Sequence, residues 1–174
     1  MTDMYQNVSG QMDVFKKLAS YIPGFNGYVE RQNRRDADKL VRDTVARKFD
    51  ELVKRASALQ TDMVGAGKLD SVGEMEKAVT QIRTFMDKIS TAARGYSGLF
   101  DAVKINEKEL EQLYNFDLAF FDLGDQIGHG LDNVEASLGD DAALPAAIRN
   151  ITTLGRQAVD TFNHRTEAFT GSGK

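Results

Sequence analysis

Apolar residues recur at intervals of three and four along most of this chain, and polar residues fill the positions between them. Ala37, Leu40, Val41, Val45, Phe49, Leu52, Val53, Ala56, Leu59 and Met63 form the longest such stripe. It lies within Val29 to Val64, a run without glycine or proline, which predicts a helix over 29–64 of roughly 54 Å. Met4, Val8, Met12, Phe15, Leu18, Ala19 and Ile22 predict an amphipathic helix over 3–21. Met75, Ala78, Val79, Ile82, Phe85, Met86 and Ile89 predict another over 72–94. Leu110, Leu113, Asp117, Phe120, Gly124, Ile127, Leu131, Val134 and Leu138 predict one over 107–138. Ile148, Ile151, Leu154, Ala158, Val159, Phe162 and Phe169 predict the last, over 142–169.

Punctuation between the stripes fits this division. Pro23-Gly24-Phe25-Asn26-Gly27-Tyr28 forces a turn, and its aromatics are suited to anchoring it. Gly65-Ala66-Gly67 closes the long helix. Ser71 with Glu74, and Asn106 with Glu109, have the spacing of capping boxes. Pro145 suits a first helical turn. Gly95-Tyr96-Ser97-Gly98-Leu99 echoes Gly24-Phe25-Asn26-Gly27-Tyr28 in front of a second charged helix.

The expected fold is all-α: an antiparallel four-helix bundle of long helices with an additional N-terminal helix. It forms a single domain over residues 1–170. Residues 171–174, Gly-Ser-Gly-Lys, read as a flexible tail or an appended linker. Reversal near Gly67 sets Phe49 beside Phe85 or Met86. Reversal near residue 140 sets Gly124 against Gly155 or Arg156, and Gly128 against Thr152, so the tightest crossing of these helices is expected near Gly124 and Gly155. The same register brings Asp117, on an otherwise apolar face, to His164 or Arg165. A structural ion pair or hydrogen bond inside the bundle is the role expected of it, with a catalytic or metal role as the alternative.

The polar face of the long helix carries Asp38/Arg42, Asp43/Arg47, Asp50/Lys54 and Glu51/Arg55, acid before base at i,i+4. These predict solvated pairs worth a few tenths of a kcal/mol each. Arg31, Arg34 and Arg35 sit at the helix start, where the dipole is already positive. They either face water and acidic neighbours or meet an anionic partner.

The segment Ile22 to Arg42, IPGFNGYVERQNRRDADKLVR, resembles uncharacterised prokaryotic helical proteins in which a Pro-Gly-aromatic-x-Gly-Tyr turn leads into an arginine-rich helix. The resemblance covers about an eighth of the chain and implies no activity.

Charge and composition narrow the function classes. The net charge of −4 disfavours bulk nucleic-acid binding. Residues 1–55 carry 11 Lys/Arg against 8 Asp/Glu, and the remainder 11 against 18, so the ends are unlike. The absence of cysteine excludes disulfides, zinc ribbons and thiol catalysis. No apolar run approaches the ~20 residues of a membrane span, and no signal peptide is visible, so a cytoplasmic location is expected. No Glu-x-x-His pair supports a di-metal site, and His129 and His164 fall roughly 20 Å apart by helical rise. Gly65-Ala66-Gly67-Lys68 lacks the spacing and hydroxyl of a phosphate loop. Neither a metal nor a cofactor is expected.

These readings favour a non-enzymatic interaction or scaffold protein. It would engage a protein partner, or a second copy of itself, through Arg31, Arg34, Arg35, Phe25, Tyr28 and Tyr96. A peripheral membrane protein binding anionic lipid surfaces is the first alternative. A helical-bundle enzyme or carrier with an interhelical pocket is the second.

Overall fold

The computed structural model describes residues 2–92 and 106–170. Among them the chain forms five α-helices and no strand. They are α1 (Thr2–Tyr21), α2 (Arg34–Gly65), α3 (Leu69–Thr91), α4 (Glu107–Ala136) and α5 (Leu144–Thr170). A short 3-10 turn, Arg31–Asn33, precedes α2.

The periodicity located each of these helices, and two of the boundaries need correction. The long helix starts at Arg34 rather than Val29, because Glu30 is extended and the 3-10 turn intervenes. Ser71 and Glu74 make no capping box: α3 already starts at Leu69, and the Ser71 amide donates to the Lys68 carbonyl. The α2 terminus fixes that early start. Gly67 takes φ +73°, its amide bonds to Val64 O, and the Lys68 amide reaches back to Met63 O. That bonding pattern closes one helix and sets the chain at once into the next. At Asn106, by contrast, the expected box forms: its side chain accepts from the Lys108 and Glu109 amides, and Glu109 returns a bond to the Asn106 amide. The echo turn containing Tyr96 lies outside the described residues.

α2 and α3 form one antiparallel hairpin, and α4 and α5 the other. The hairpins lie side by side so that α2 runs parallel to α4, and α3 parallel to α5. Lys48 meets Asp125 and Arg55 meets Asp132 along the first seam, while Gly155 meets Gln81 and Lys88 meets Asn163 along the second. α1 lies outside this ring against α4. The apolar stripes meet in one continuous interior. Phe49 and Phe85 sit 4.3 Å apart between ring centres, as the α2–α3 register predicts, and Phe85 continues to Phe120 at 5.3 Å. Each fully buried Phe or Leu contributes about 1.5–3 kcal/mol of transfer free energy. Leu18 of α1 and Ile22 just after it are buried, but Met12 faces solvent, contrary to its place in the stripe.

Two glycine assignments are corrected. Gly124 and Gly155 are both at close crossings, but not with each other. A methyl group on Gly124 would lie 2.5 Å from Lys48 Cε and 3.2 Å from a Phe49 ring carbon, on α2. One on Gly155 would lie 2.8 Å from Gln81 Cβ and 3.3 Å from the Ile82 amide nitrogen, on α3. Gly128 likewise faces Leu52 rather than Thr152. The close glycine approach between α4 and α5 is made by Gly130, against Ile151.

These contacts separate two kinds of helical glycine. Gly155→Ala is expected to cost about 1–3 kcal/mol, because the obstruction includes α3 backbone that cannot swing aside. Gly73→Ala, with nothing within 4 Å of the added carbon, is expected to stabilise by up to about 1 kcal/mol. Urea denaturation of both variants checks the contrast; equal effects would show that the α3–α5 contact is looser than described.

Candidate functional site

The turn after α1 points inward. Gly24 and Gly27 take φ +81° and +83°, conformations that L side chains rarely adopt. A Cβ on Gly27 would also lie 2.6 Å from the Tyr114 hydroxyl oxygen. This geometry drives Phe25 and Tyr28 into the interior. Phe25 meets Tyr28 edge-on at 5.6 Å, and Phe15 of α1 at 5.9 Å. Tyr28 stacks on Tyr114 at 5.6 Å, and its amide donates to the Tyr114 hydroxyl at 3.1 Å. The Arg34 Nε donates to the Tyr28 carbonyl at 2.7 Å, which ties the turn to the first residue of α2.

Behind the turn lies a buried ionic cluster. The Tyr28 hydroxyl donates to Asp117 Oδ2 at 2.5 Å. Arg165 donates from Nε to Asp117 Oδ1 at 3.0 Å, and from a terminal nitrogen to Asp38 Oδ1 at 2.7 Å. Asp38 also accepts from Arg42 Nε at 2.8 Å. Tyr28 and Asp117 are fully buried, and Arg165 is 1% exposed. The cluster joins the turn, α2, α4 and α5. Among the described residues, no buried side-chain nitrogen or oxygen lacks a hydrogen-bond partner.

Burial pushes the Asp117 carboxyl up to about 6, and the nearby Asp38 charge adds to this; Arg165 and the Tyr28 hydroxyl act against both. Burial, with the Asp117 charge beside it, also pushes the Tyr28 hydroxyl well above its ordinary value. A second, half-buried group holds α1 to the α2–α4 seam. Asp125 accepts from the Tyr21 hydroxyl and from Lys48 Nζ, each at 2.5 Å. Burial opposes the Asp125 charge, but these two donors outweigh it and hold the carboxyl below its usual value. The bond to Asp125, with some burial, pushes Tyr21 up to about 12.

The residues proposed for partner binding are therefore redistributed. Phe25, Tyr28 and Arg34 are interior and serve the fold, so they are withdrawn from any docking surface. Arg35 is exposed. The Arg31 side chain and Tyr96 lie outside what the structure describes. Asp117 does take part in an ion pair within the bundle, but with Arg165; His164 is exposed. Asp38 and Arg42, read as a solvated pair, are instead among the buried charges. Arg34, Asp38 and Arg42 stand at i,i+4 beside the apolar stripe of α2, and that placement was the available signal.

The described surface includes two depressions of note. A shallow groove of about 450 Å³ between α4 and α5 is lined by Asp122, Leu123, Gln126, Gln157, Asp160 and His164, among others. A slot of about 150 Å³ between α1 and α4 is lined by Gly10, Val14, Glu111 and Tyr114, among others. Among the described residues, no three His, Asp or Glu side chains are grouped to hold a metal ion. No helix among them is long and apolar enough to cross a membrane.

The architecture is that of an all-α bundle stapled by buried charge. No protein-family model matches the chain, and no curated protein or solved structure matches it.

Removing Arg165 leaves the buried Asp117 without a cationic partner and takes one of two from Asp38. Arg165→Met is expected to cost about 3–5 kcal/mol, the range for breaking a buried ion pair from one side. Replacing both partners, Arg165→Met with Asp117→Leu, is expected to recover part of that loss. Chemical denaturation measures both; a single-variant cost below about 1 kcal/mol contradicts this account.

Proposed function

We propose that the protein is a non-enzymatic helical interaction protein that works through its outer surface. The observation that carries this reading is the sealing of Tyr28, Asp117 and Arg165. Tyr28 and Asp117, whose ionisation burial pushes upward, hold the bundle together with Arg165 and have no access to a substrate. The molecule thereby gains a rigid frame, and what it offers to others is the exposed side of its helices.

The surface we favour is the start of α2, where Arg35 and Lys39 are exposed one helical turn apart. The chemistry fits an acidic protein face. A second copy of the chain is a less suitable partner than the uneven charge suggests. The acidic side chains of α4 that would receive it are partly engaged within the molecule, Asp125 by Lys48, and Asp132 and Glu135 by Arg55. The reading assumes a cytoplasmic setting.

Charge reversal tests it. Arg35→Glu with Lys39→Glu is expected to leave helicity unchanged and to abolish capture of acidic proteins from a lysate of the source cells. Anionic liposomes, run alongside, are expected to bind neither form. Equal capture by both forms sinks the α2 surface. Salt-sensitive liposome binding by the unmodified protein, lost in the variant, would favour a membrane surface instead.

A further inference from the structure

The turn, α4 and α5 meet at the Asp117 carboxylate, α2 joins them through Asp38 on the same Arg165 guanidinium, and the Asp117 charge is the less compensated of the two buried acids. Asp38 has two guanidinium partners, Arg42 and Arg165. Asp117 has one, shared with Asp38, and otherwise a neutral hydroxyl. Arginine stays protonated in proteins. A proton entering this cluster therefore goes to Asp117.

We propose that the Tyr28–Asp117–Arg165–Asp38 cluster is a proton-linked latch that sets how firmly the turn 22–30, and through it α1, is held on the bundle. The turn supplies the Tyr28 hydroxyl that lies on the carboxylate, so releasing the turn admits water to Asp117. The turn and α1 move together because they are contiguous in the chain and Phe15 of α1 packs on Phe25 of the turn; Tyr114 of α4 is the bundle side of the contact, meeting Phe15, Phe25 and Tyr28. Outside this contact α1 is held mainly by α4, through the Tyr21–Phe121 stack, the Tyr21–Asp125 bond and the Lys17–Asp122 pair. Among the described residues, the titratable and charged groups around Asp117 are Tyr28 from the turn, Asp38 from α2 with Arg34 and Arg42 beside it, Tyr114 from α4, and Arg165 from α5.

The sign follows from the two environments. Docked, Asp117 keeps its proton up to about 6. Released into water, it loses that proton near 4, the ordinary carboxylate value. The latch is thus firmest below the lower value and loosens as pH rises through the upper one. The release equilibrium changes by at most about a hundredfold, the ratio implied by a difference of two pH units.

Hydrogen exchange of the full chain at pH 5 and pH 7.5, corrected for intrinsic exchange rates, reads this directly. Protection of residues 10–21 is expected to fall at the higher pH while residues 45–63 of α2 stay more protected. In Asp117→Asn the pH response of residues 10–21 is expected to vanish. Equal protection of both segments, unchanged protection of α1, or the same pH response in the variant overturns the latch. Should the variant not fold, the unmodified protein still decides the matter by carbon-detected NMR. The Asp117 carboxyl and the Tyr28 and α1 amides are expected to titrate together near pH 6. A carboxyl midpoint near 4, or amides that do not follow it, is equally fatal.

Discussion

One guanidinium holds this fold in register. Arg165 comes from the last turns of α5 and reaches carboxylates on two other helices, Asp117 of α4 and Asp38 of α2. Apolar stripes specify alignment less sharply than charges do, because cores tolerate exchange of Leu, Val and Phe when total volume is kept. Buried charges allow no such exchange. Moving α5 by one turn would leave Arg165 buried without a carboxylate and Asp117 with only the neutral Tyr28 hydroxyl, at several kcal/mol for each ion, while Asp38 would keep Arg42. The cluster adds little net stability over an apolar filling, since desolvation offsets most of its attraction. Its contribution is to penalise every other alignment.

The same cluster resolves a geometric mismatch. α2 is longer than α3, so its first turns extend past the end of its hairpin partner. Arg34, Ala37, Asp38 and Val41 of that overhang are nevertheless buried. The inward-folded turn, the start of α4 and the end of α5 cover it. Phe25 and Tyr28 serve as interior fillers for this reason, which removes them from the surface where an aromatic turn would otherwise recruit a partner.

Charge is also spent locally. α4 carries eight acidic residues against one lysine, while α2 carries eight basic residues against six acidic ones. They run parallel and adjacent, and Lys48 and Arg55 answer Asp125, Asp132 and Glu135 across the seam. Glu51/Arg55, predicted as a pair along α2, is replaced by these contacts between helices. Asp50/Lys54 does form along the helix at 2.6 Å. The difference is one of orientation: Lys54 faces solvent, and Arg55 faces α4.

The amino-acid sequence alone determined the helices, their approximate ends, the Asn106 cap and the closeness of Phe49 to Phe85. Those features depend on 3.6-residue periodicity, on bonds within a few residues, or on a reversal short enough to fix the register by counting. It also marked Asp117 as an acid needing a partner in the last helix. Only the tertiary structure decided that Arg165 rather than His164 answers it, that Asp38 and Arg42 are buried, and that Gly124 and Gly155 meet different helices. These outcomes depend on how each helix is rotated about its axis and which hairpin lies beside it. Rotation and neighbourhood are set by the packing of all the stripes together, and no single stretch of the chain encodes them.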